Sequence, residues 1–304
     1  MIRVLASDGM EASAVAKLRE LGYEVVEQFY EPEELAQKVK EYDVLVVRSA
    51  TKVRVPIIDS AVEEGKLKLI IRGGVGVDNI DVKYAEEKGI TVRNTPNASS
   101  ASVAELAIGH MFSLSRFIGI ANATMREGAW NKKKYEGTEI AGKTLGLVGM
   151  GRIARETAKR AYALGMKIIY TCRSGKCCEL PEEWKYVSMD ELLKSADFVS
   201  LHMPAPADKK PIFTKEVFEM MKPTAFLVNT ARGVLIDEDA LCDALDNGVI
   251  AGAALDVFCE EPTKNERLCK HPKVSITPHI GGSTKEAQGR IGEEIVDIIT
   301  GFFK

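Results

Sequence analysis

The stretch Thr144-Leu-Gly-Leu-Val-Gly-Met-Gly-Arg-Ile-Ala154 decides the fold of this chain. It runs from an apolar strand through a turn of glycines into the start of a helix. Its small residues fit the Gly-x-Gly-x-x-Gly/Ala pattern of dinucleotide-binding turns. Gly149 permits a tight turn, Gly151 lets a pyrophosphate approach the backbone, and Ala154 lets the helix pack closely on the strand. The stretch therefore predicts a dinucleotide site, although glycines that serve packing alone would give the same pattern.

Length and composition limit the class of protein. With 304 residues the chain exceeds one typical core, which predicts two domains of roughly 100–200 residues. Hydrophobic residues make up 45% of it, which is too many for a disordered chain. The net charge of −3, with both signs interspersed, argues against nucleic-acid and membrane partners. No apolar run reaches the ~20 residues that span a bilayer, and no signal peptide precedes the first strand, so we expect a cytoplasmic protein.

The six cysteines lack the spacing of a zinc site or a disulfide framework, so we expect reduced thiols. Cys177 and Cys178, beside Cys172, are a candidate metal cluster. Because no paired histidine accompanies them, no metal is predicted.

Apolar runs alternate with helical patterns in the first hundred residues. Strands are predicted at 2–6, 23–26, 44–47, 67–71 and 90–92. Continuous apolar strands separated by helices favour a parallel sheet covered on both faces. The first domain is therefore predicted to be a flavodoxin-like α/β domain.

Two of these strands end in arginine. Arg48 follows the strand 44–47, and Arg72 follows 67–71, just before the glycine turn Gly73-Gly74-Val75-Gly76. Ligands of such sheets bind at the carboxyl ends of the strands, and the planar guanidinium suits carboxylate or phosphate. Either arginine alone would be an ordinary surface residue, but the two together predict an anion site.

The middle of the chain links the two domains. Asn94-Thr-Pro-Asn97 predicts the crossing between them, and a helical pattern then runs from about Ala98 to Glu127. That length exceeds the usual 8–20 residues and predicts a helix along a domain or subunit boundary. A basic loop with Trp130 follows, which is either a solvated loop or one that reaches into a partner's site.

The second domain repeats the alternation around the quoted stretch. Further strands are predicted at 166–171, 198–201, 225–229, 250–255 and 274–277. This order predicts a Rossmann fold, again a doubly wound parallel sheet. In such folds an acid at the end of the second strand selects NAD by binding the ribose. Here Cys172 occupies that position and Arg173 follows it, so NADP stays open beside NAD.

Polar side chains follow three strands of this domain, namely Arg232, Glu261 and His279. Reduction of a 2-oxo acid needs an anchor for the carboxylate, a proton donor, and a partner that controls the donor. An arginine, a histidine and a glutamate meet these needs, since a nearby carboxylate favours the charged form of a histidine. Of the other histidines, His110 is expected to be packed in its helix, His202 to line the site, and His271 to lie in a loop.

Four ordered stretches resemble the signatures of the D-isomer-specific 2-hydroxyacid dehydrogenases. They are Gly-Leu-Val-Gly-Met-Gly-Arg-Ile-Ala154, Asn-Thr-Ala-Arg-Gly233, Ala-Leu-Asp-Val-Phe-Cys-Glu-Glu-Pro262 and Thr-Pro-His-Ile-Gly-Gly-Ser-Thr284. Val-Arg-Ser-Ala-Thr-Lys52, Arg-Gly-Gly-Val-Gly-Val-Asp-Asn79 and Ser-Thr-Lys-Glu-Ala-Gln288 most resemble the D-3-phosphoglycerate dehydrogenase branch. The likeness spans essentially the whole chain.

The resemblance implies a role for each matching residue. The catalytic triad falls on Arg232, Glu261 and His279. Coenzyme contacts fall on Val75, Gly149, Gly151, Arg152, Ile153, Cys172, Arg173, Met203, Pro204, Thr230, Ala231, Arg232, Asp256, His279, Gly281 and Gly282. Substrate contacts fall on Arg48, Ser49, Arg72, Gly74, Val75, Arg232 and Lys132, the last reaching across a dimer to the substrate phosphate.

The resemblance also implies hydride transfer between NAD(P) and C2 of 3-phosphoglycerate or 3-phosphohydroxypyruvate, the first step of the phosphorylated serine pathway. It implies a discontinuous substrate domain (1–94 and 284–304), a coenzyme domain (95–283), and a homodimer formed through the latter. Three features depart from the branch. Cys172 replaces the usual ribose-binding Asp, Lys132 replaces an Arg, and the chain ends 25 residues after His279, so no serine-sensing domain is expected.

Two alternatives remain open. The same chemistry on glyoxylate, hydroxypyruvate or D-lactate needs the same triad; formate dehydrogenase fits less well, because that branch has Gln at the position of Glu261. In another class, a dinucleotide-sensing binding protein like the C-terminal-binding corepressors would share the fold and the triad. Turnover of a small panel of 2-oxo acids separates these possibilities.

Overall fold

The computed structural model describes residues 1–177 and 179–304, which form two compact units. The first unit comprises Met1–Ser99 and Gly282–Lys304, and the second comprises Ser100–Gly281. The first unit is thus built from both ends of the chain. The sequence predicts divisions after residues 94 and 283, and the two compact units divide after residues 99 and 281.

The first unit is a five-stranded parallel sheet with helices. Its strands are β1 (Arg3–Ala6), β2 (Glu24–Glu27), β3 (Val44–Val47), β4 (Leu69–Arg72) and β5 (Thr91–Asn94). Its helices are α1 (Ala12–Glu20), α2 (Pro32–Lys38), α3 (Val55–Glu64), α4 (Val82–Glu87) and the last helix of the chain, Lys285–Phe302. The strand order is β2-β1-β3-β4-β5. This order is that of flavodoxin-like folds, so the predicted fold class of the unit is confirmed.

Hydrophobic cores lie on both faces of this sheet, because its strands are continuous apolar runs. The helix Lys285–Phe302 contributes Ile291, Ile295 and Ile299 to one core, where they are buried with residues of β1 and α1. Close approach to α1 is possible because residue 292 is glycine; a Cβ there would lie 2.8 Å from the Cβ of Ala14. The final helix is therefore an integral part of the first unit.

The second unit is a seven-stranded parallel sheet. Its strands are β6 (Thr144–Val148), β7 (Lys167–Thr171), β8 (Lys185–Tyr186), β9 (Phe198–Leu201), β10 (Phe226–Asn229), β11 (Gly252–Leu255) and β12 (Val274–Ile276). Its helices are α5 (Ser100–Arg116), α6 (Ile118–Arg126), α7 (Arg152–Ala163), α8 (Met189–Ser195), α9 (Lys215–Glu219), α10 (Glu238–Asp246) and α11 (Glu266–Cys269), so that Lys285–Phe302 is α12. The order β12-β11-β10-β9-β6-β7-β8 reverses direction between β6 and β9. That is the Rossmann arrangement, and ligands bind at such a reversal point.

The single long helix predicted from Ala98 to Glu127 is wrong. The structure breaks it at Phe117, which has a φ of 56°, and the two resulting helices α5 and α6 are bent by 66°. The Ser115 carbonyl oxygen accepts a hydrogen bond of 2.9 Å from the Thr138 N–H instead of continuing the helix. Because the competing donor lies 23 residues away in the chain, no local sequence signal marked the break.

In the part of the chain that the structure describes, no single helix is long and apolar enough to cross a membrane. The bent pair α5 and α6 reaches the required length and composition only when the two helices are taken together.

Candidate active site

The glycine turn after β6 has the geometry that its sequence predicts. Gly149 has a φ of 97°, and a Cβ at this position would overlap the carbonyl oxygen of His202. Its N–H donates a hydrogen bond of 2.8 Å to the Thr171 carbonyl oxygen at the end of β7. Ala154 is completely buried. Gly149 is thus required by the fold itself, because it lets the ends of three strands meet.

The turn also fits a dinucleotide. A Cβ on Gly151 would meet no atom within 4 Å, so open space lies in front of this residue. Helix α7 begins at Arg152, and its N-cap residue is Gly151, which has no side chain to cap the first turn. The amides of the first turn are therefore available to an anion, as in other phosphate-binding helix ends. The Thr230 hydroxyl after β10 is buried, and no partner for it is found among the residues that the structure describes, which also fits a bound ligand.

The end of β7 carries no carboxylate. Cys172 and Cys177 are partly buried here, whereas Arg173 and Lys176 are exposed. The Cys172 thiol donates to the Gly175 carbonyl oxygen at 2.9 Å and lies 3.4 Å from the Cys177 sulfur. Cys178, the third member of the candidate metal cluster, lies outside the described residues. Among those described, no group of three or more His, Cys, Asp or Glu side chains could hold a metal ion.

His202 follows β9 and precedes two residues implied in coenzyme binding, Met203 and Pro204. Its imidazole lies 2.9 Å from the Ser200 hydroxyl. Burial lowers the pKa of His202 to about 4, so the ring is neutral at physiological pH. Met203 is half-buried and Pro204 exposed at the same strand end.

The structure brings two of the triad residues into direct contact. Nδ1 of His279 and Oε2 of Glu261 are 2.7 Å apart, and each side chain keeps about a third of its surface exposed. With Nδ1 paired to the carboxylate, Nε2 is left to face a ligand. His279 has a φ of 53°, a conformation that is uncommon outside glycine and that marks functional sites.

The glutamate is itself fixed by the protein. Its Oε1 accepts a hydrogen bond of 3.1 Å from the Phe258 N–H. Burial acts to raise the pKa of Glu261, but the hydrogen bond and charge of His279 outweigh it, so the pKa lies below its usual value. The nearby Arg232 charge acts in the same direction. Glu261 is therefore ionised and can support a protonated imidazole.

The turn that carries Arg232 is held by residues whose role was not predicted. Asn229, fully buried at the end of β10, donates from its side chain to the Arg232 carbonyl oxygen at 2.8 Å and accepts from the Ala231 N–H at 3.0 Å. A Cβ on Gly233 would overlap the backbone of Phe258. These contacts hold the arginine turn against the segment that leads to Glu261. The only sequence signal was the motif Asn-Thr-Ala-Arg-Gly233 itself.

Asp256 supports the segment that carries His279. Its two carboxylate oxygens accept hydrogen bonds from the Thr277 hydroxyl (2.6 Å), the Ile280 N–H (2.8 Å) and the Gly281 N–H (2.8 Å). The resemblance implies that both Asp256 and Gly281 contact the coenzyme, and the two residues are joined by one of these hydrogen bonds. Within the protein, this carboxylate fixes the backbone on the C-terminal side of His279.

His110 of α5 extends the hydrogen-bond network of Asp256, because it contacts the Thr277 hydroxyl that donates to this carboxylate. Its two ring nitrogens each lie 3.0 Å from a hydroxyl, one from Ser275 and one from Thr277. Burial lowers the pKa of His110, against an opposing effect of the Asp256 charge. Sequence reasoning treated His110 as a packed helix residue. Its hydroxyl partners are 165 and 167 residues away, so its polar role could not be read from neighbours in the chain.

In the first unit, the two predicted substrate arginines lie against the same glycine pair. A Cβ on Gly73 would lie 3.7 Å from Cγ of Arg48, and one on Gly74 would overlap the guanidinium of Arg72. The two strands are adjacent, and the Gly73 N–H donates to the Val47 carbonyl oxygen at 2.8 Å. Gly74 has a φ of 147°, which only glycine adopts readily. The side chains of two arginines therefore lie at one glycine turn.

The loop from Arg48 to Thr51, which includes Ser49, is pre-formed. Asp8 accepts hydrogen bonds from the Arg48 N–H (2.6 Å) and the Thr51 N–H (3.1 Å). Asn79 donates from its side chain to the carbonyl oxygens of both residues, at 2.7 and 2.8 Å. Val75, next to the glycine pair, accepts from the Asn94 side chain at 2.5 Å.

Lys132 and Trp130 lie in the second unit, after α6. Lys132 begins a short 3-10 turn and is exposed, and Trp130 keeps 78% of its surface exposed. Tyr135 ties this loop to α6, because its hydroxyl lies 2.9 Å from that of Thr124. Within the described residues of the second unit, neither the Lys132 nor the Trp130 side chain makes a hydrogen bond or ion pair.

A Rossmann sheet with a ligand-ready glycine turn, and a paired histidine and glutamate at its strand ends, defines a class of protein, the NAD(P)-dependent oxidoreductases. The family profile "D-isomer specific 2-hydroxyacid dehydrogenase, NAD binding domain" matches residues 108–281. The chain belongs to the D-isomer-specific 2-hydroxyacid dehydrogenase family, so the predicted family and enzyme class are confirmed.

Relatives of this chain are named for activities on different substrates. A hydroxypyruvate reductase from Thermotoga maritima is 47% identical over 98% of this chain and 97% of its own length. A D-3-phosphoglycerate dehydrogenase from Methanocaldococcus jannaschii is 46% identical over 98% of this chain, which covers 57% of that protein. An NADPH-dependent glyoxylate/hydroxypyruvate reductase from Sinorhizobium meliloti, solved with NADP and malonate, is 29% identical, with a TM-score of 0.87 over 100% of this chain and 94% of that chain. The chain spans about half the length of the phosphoglycerate dehydrogenases it matches.

Proposed function

We propose that this enzyme transfers hydride between NAD(P) and C2 of 3-phosphoglycerate or 3-phosphohydroxypyruvate, the first step of a phosphorylated serine pathway. The observation that carries the proposal is that the side chains of Arg48 and Arg72 lie against Gly73 and Gly74. A substrate with both a carboxylate and a phosphate has two anionic groups, and arginine binds either with paired hydrogen bonds. Arg48, Ser49, Arg72, Gly74 and Val75 are the proposed substrate contacts of the first unit.

The catalytic steps follow from the triad. Arg232 binds the substrate carboxylate and polarises the neighbouring carbonyl. His279 donates a proton from Nε2 to the carbonyl oxygen during reduction, and takes it back during oxidation. Glu261, held ionised, fixes the tautomer of the imidazole and stabilises its charged form. The bound coenzyme supplies or receives the hydride at C2.

Coenzyme contacts are proposed at the glycine turn, at the end of β7 and around Thr230. The helix-start amides of Arg152 and Ile153 bind the pyrophosphate. Cys172 carries no charge that would repel a 2′-phosphate, and Arg173 is exposed beside it. The reductase from Sinorhizobium meliloti that was solved with NADP gives a precedent for NADPH use within the family. Measured preference between NADH and NADPH decides which coenzyme this chain uses.

A second candidate function is reduction of hydroxypyruvate or glyoxylate. It is favoured by the Thermotoga relative, because that match covers nearly the whole of both chains. Lys132 also supports it, since a lysine cannot bind a phosphate with the paired hydrogen bonds of an arginine.

One assay separates the candidates. Steady-state reduction of 3-phosphohydroxypyruvate, hydroxypyruvate, glyoxylate and pyruvate is measured with NADH and, in parallel, with NADPH. The proposal expects the highest kcat/KM for 3-phosphohydroxypyruvate, and Arg72→Lys should lower that value more than the value for glyoxylate. A higher kcat/KM for hydroxypyruvate would favour the second candidate. No turnover of any of the four would favour a dinucleotide-sensing protein.

We also propose a homodimer formed through the second unit. None of the residues of α6 is buried, and its Ile118 and Met125 keep 53% and 51% of their surface exposed. Trp130, in the loop that follows, is also exposed, and we call these three residues the α6 patch. Exposed apolar surface of this kind favours association with a second copy of the chain.

A further inference from the structure

Two thiols lie close together in the segment that follows β7. The sulfur atoms of Cys172 and Cys177 are 3.4 Å apart. A disulfide bond is about 2.05 Å long, so the sulfurs need to approach by only about 1.4 Å. Both side chains are partly exposed, which gives an oxidant access. We call residues 172–177 the β7 loop.

The β7 loop begins directly beside the glycine turn. The Gly149 N–H is bonded to the carbonyl oxygen of Thr171, the residue before Cys172. At its other end, the Cys177 N–H donates to the Tyr170 hydroxyl at 3.1 Å. The loop is thus anchored at both ends to β7 and its neighbouring turn. In a Rossmann sheet this strand end contacts the adenosine ribose.

We propose that Cys172 and Cys177 are a reversible redox site, and that their oxidation to a disulfide weakens coenzyme binding. The inference rests on the proposed role of this strand end in binding NAD(P). At the ribose position, where the family usually has an Asp, this chain has Cys172, and unlike a carboxylate a thiol can be oxidised reversibly. Disulfides in reducing compartments are typically transient and regulatory, which suits a bond between two partly exposed thiols in a short loop.

The chemistry balances with a peroxide as the oxidant. One thiolate attacks an oxygen of hydrogen peroxide, the O–O bond breaks, and a sulfenic acid and hydroxide form. The second thiolate attacks the sulfenic sulfur, the S–S bond forms, and a second hydroxide leaves; the two thiol protons convert both hydroxides to water. A dithiol such as dithiothreitol reverses the reaction by thiol–disulfide exchange.

Oxidation changes the loop in two ways. The Cys172 thiol loses the proton that it donates to the Gly175 carbonyl oxygen, so this contact is lost. The new bond also closes a six-residue ring that contains Arg173, and so restricts the backbone at the ribose position. Both changes oppose the conformation in which the reduced loop would receive the coenzyme.

Peptide mapping tests the bond itself. Trypsin cleaves after Lys167, Arg173, Lys176 and Lys185, which places Cys172 in peptide 168–173 and Cys177 in peptide 177–185. After peroxide treatment of the whole enzyme, we expect these two peptides to be joined, and dithiothreitol to separate them. The link should be absent in Cys177→Ser and in Cys177→Ala, and present in Cys178→Ser and in the control Cys269→Ser. A link that survives in both Cys177 variants would assign it to Cys178 and overturn the proposal.

Coenzyme titration tests the consequence. Fluorescence titration with NADH and with NADPH should show that oxidation lowers the affinity of the wild type about 10-fold and that dithiothreitol restores it. In Cys177→Ser, peroxide should leave the affinity unchanged. If the linked peptides form while the affinity stays constant, control of binding is refuted and the proposed function stands. If the reduced wild type binds neither coenzyme, the proposed function fails, and mapping still decides whether the bond forms.

Discussion

At the scale of single residues, the pairing of His279 with Glu261 has a direct consequence for turnover. Replacing His279 by Gln removes the proton donor but leaves the coenzyme turn intact. We expect kcat to fall by about 10²–10⁴-fold while the Kd for NADH or NADPH changes little. Steady-state kinetics and fluorescence titration measure the two quantities. A variant that retains most of its turnover would show that another group donates the proton.

His202 predicts a pH dependence of stability. Its pKa is about 4 in the folded protein, below the ordinary value of 6.5. Between these values the unfolded chain binds a proton that the folded protein does not, so stability falls as the pH drops from 6.5 towards 4, and is unaffected above 6.5. From pH 7 to pH 5, the free energy of unfolding of the wild type should fall by about 1–2 kcal/mol more than that of His202→Gln.

Chemical denaturation at the two pH values measures this difference. As a control, Gln37→Ala changes an exposed side chain that does not titrate and should fall in parallel with the wild type. If His202→Gln also falls in parallel, the buried ring does not control this part of the pH dependence.

At the scale of elements, the two glycines before α7 have different roles, since Gly149 is needed for folding and Gly151 for coenzyme binding. An alanine at position 149 would overlap the His202 carbonyl oxygen and would need a φ of 97°, so Gly149→Ala should destabilise the protein by about 1–3 kcal/mol. An alanine at position 151 meets nothing within 4 Å, so Gly151→Ala should fold normally. It should still weaken coenzyme binding about 10-fold, because the methyl group occupies the approach of the pyrophosphate.

Thermal unfolding and coenzyme titration of both variants provide the measurement, and each variant is the control for the other. Equal losses of stability in the two would contradict the division of roles. If Gly151→Ala binds the coenzyme with unchanged affinity, the pyrophosphate does not bind at this turn.

The elements also show how far sequence reasoning reaches. Most strands were predictable because they contain apolar runs, whereas β8 (Lys185–Tyr186), which buries no residue, was not predicted. Parallel strand ends predict where polar side chains collect. His279 could be chosen among four histidines for that reason. The bend at Phe117, the bond between Asn229 and the Arg232 turn, and the support of Thr277 by His110 all depend on contacts between distant positions. Such contacts leave no periodic signal, so the structure was needed to find them.

At the scale of the whole molecule, the α6 patch predicts the assembly state. The wild type should sediment as a dimer at micromolar concentration. Trp130→Ser should raise the dimer dissociation constant by about 10–100-fold, because exposed aromatic residues dominate the energy of interfaces. Leu21→Ser, which removes an exposed apolar residue of the first unit, is the matched control and should leave the dimer intact. A monomeric wild type would refute the proposed dimer.

The position of α12 in the core of the first unit has a consequence for biosynthesis. Ile291, Ile295 and Ile299 are made only after all 182 residues of the second unit have been synthesised. Until then, Val4, Val15 and Leu18 lack the apolar partners that bury them in the finished protein. The second unit can fold while the first waits, so the first part to be synthesised is the last to be completed. Emergence of α12, rather than emergence of the N-terminus, therefore sets the moment at which the first unit closes its core.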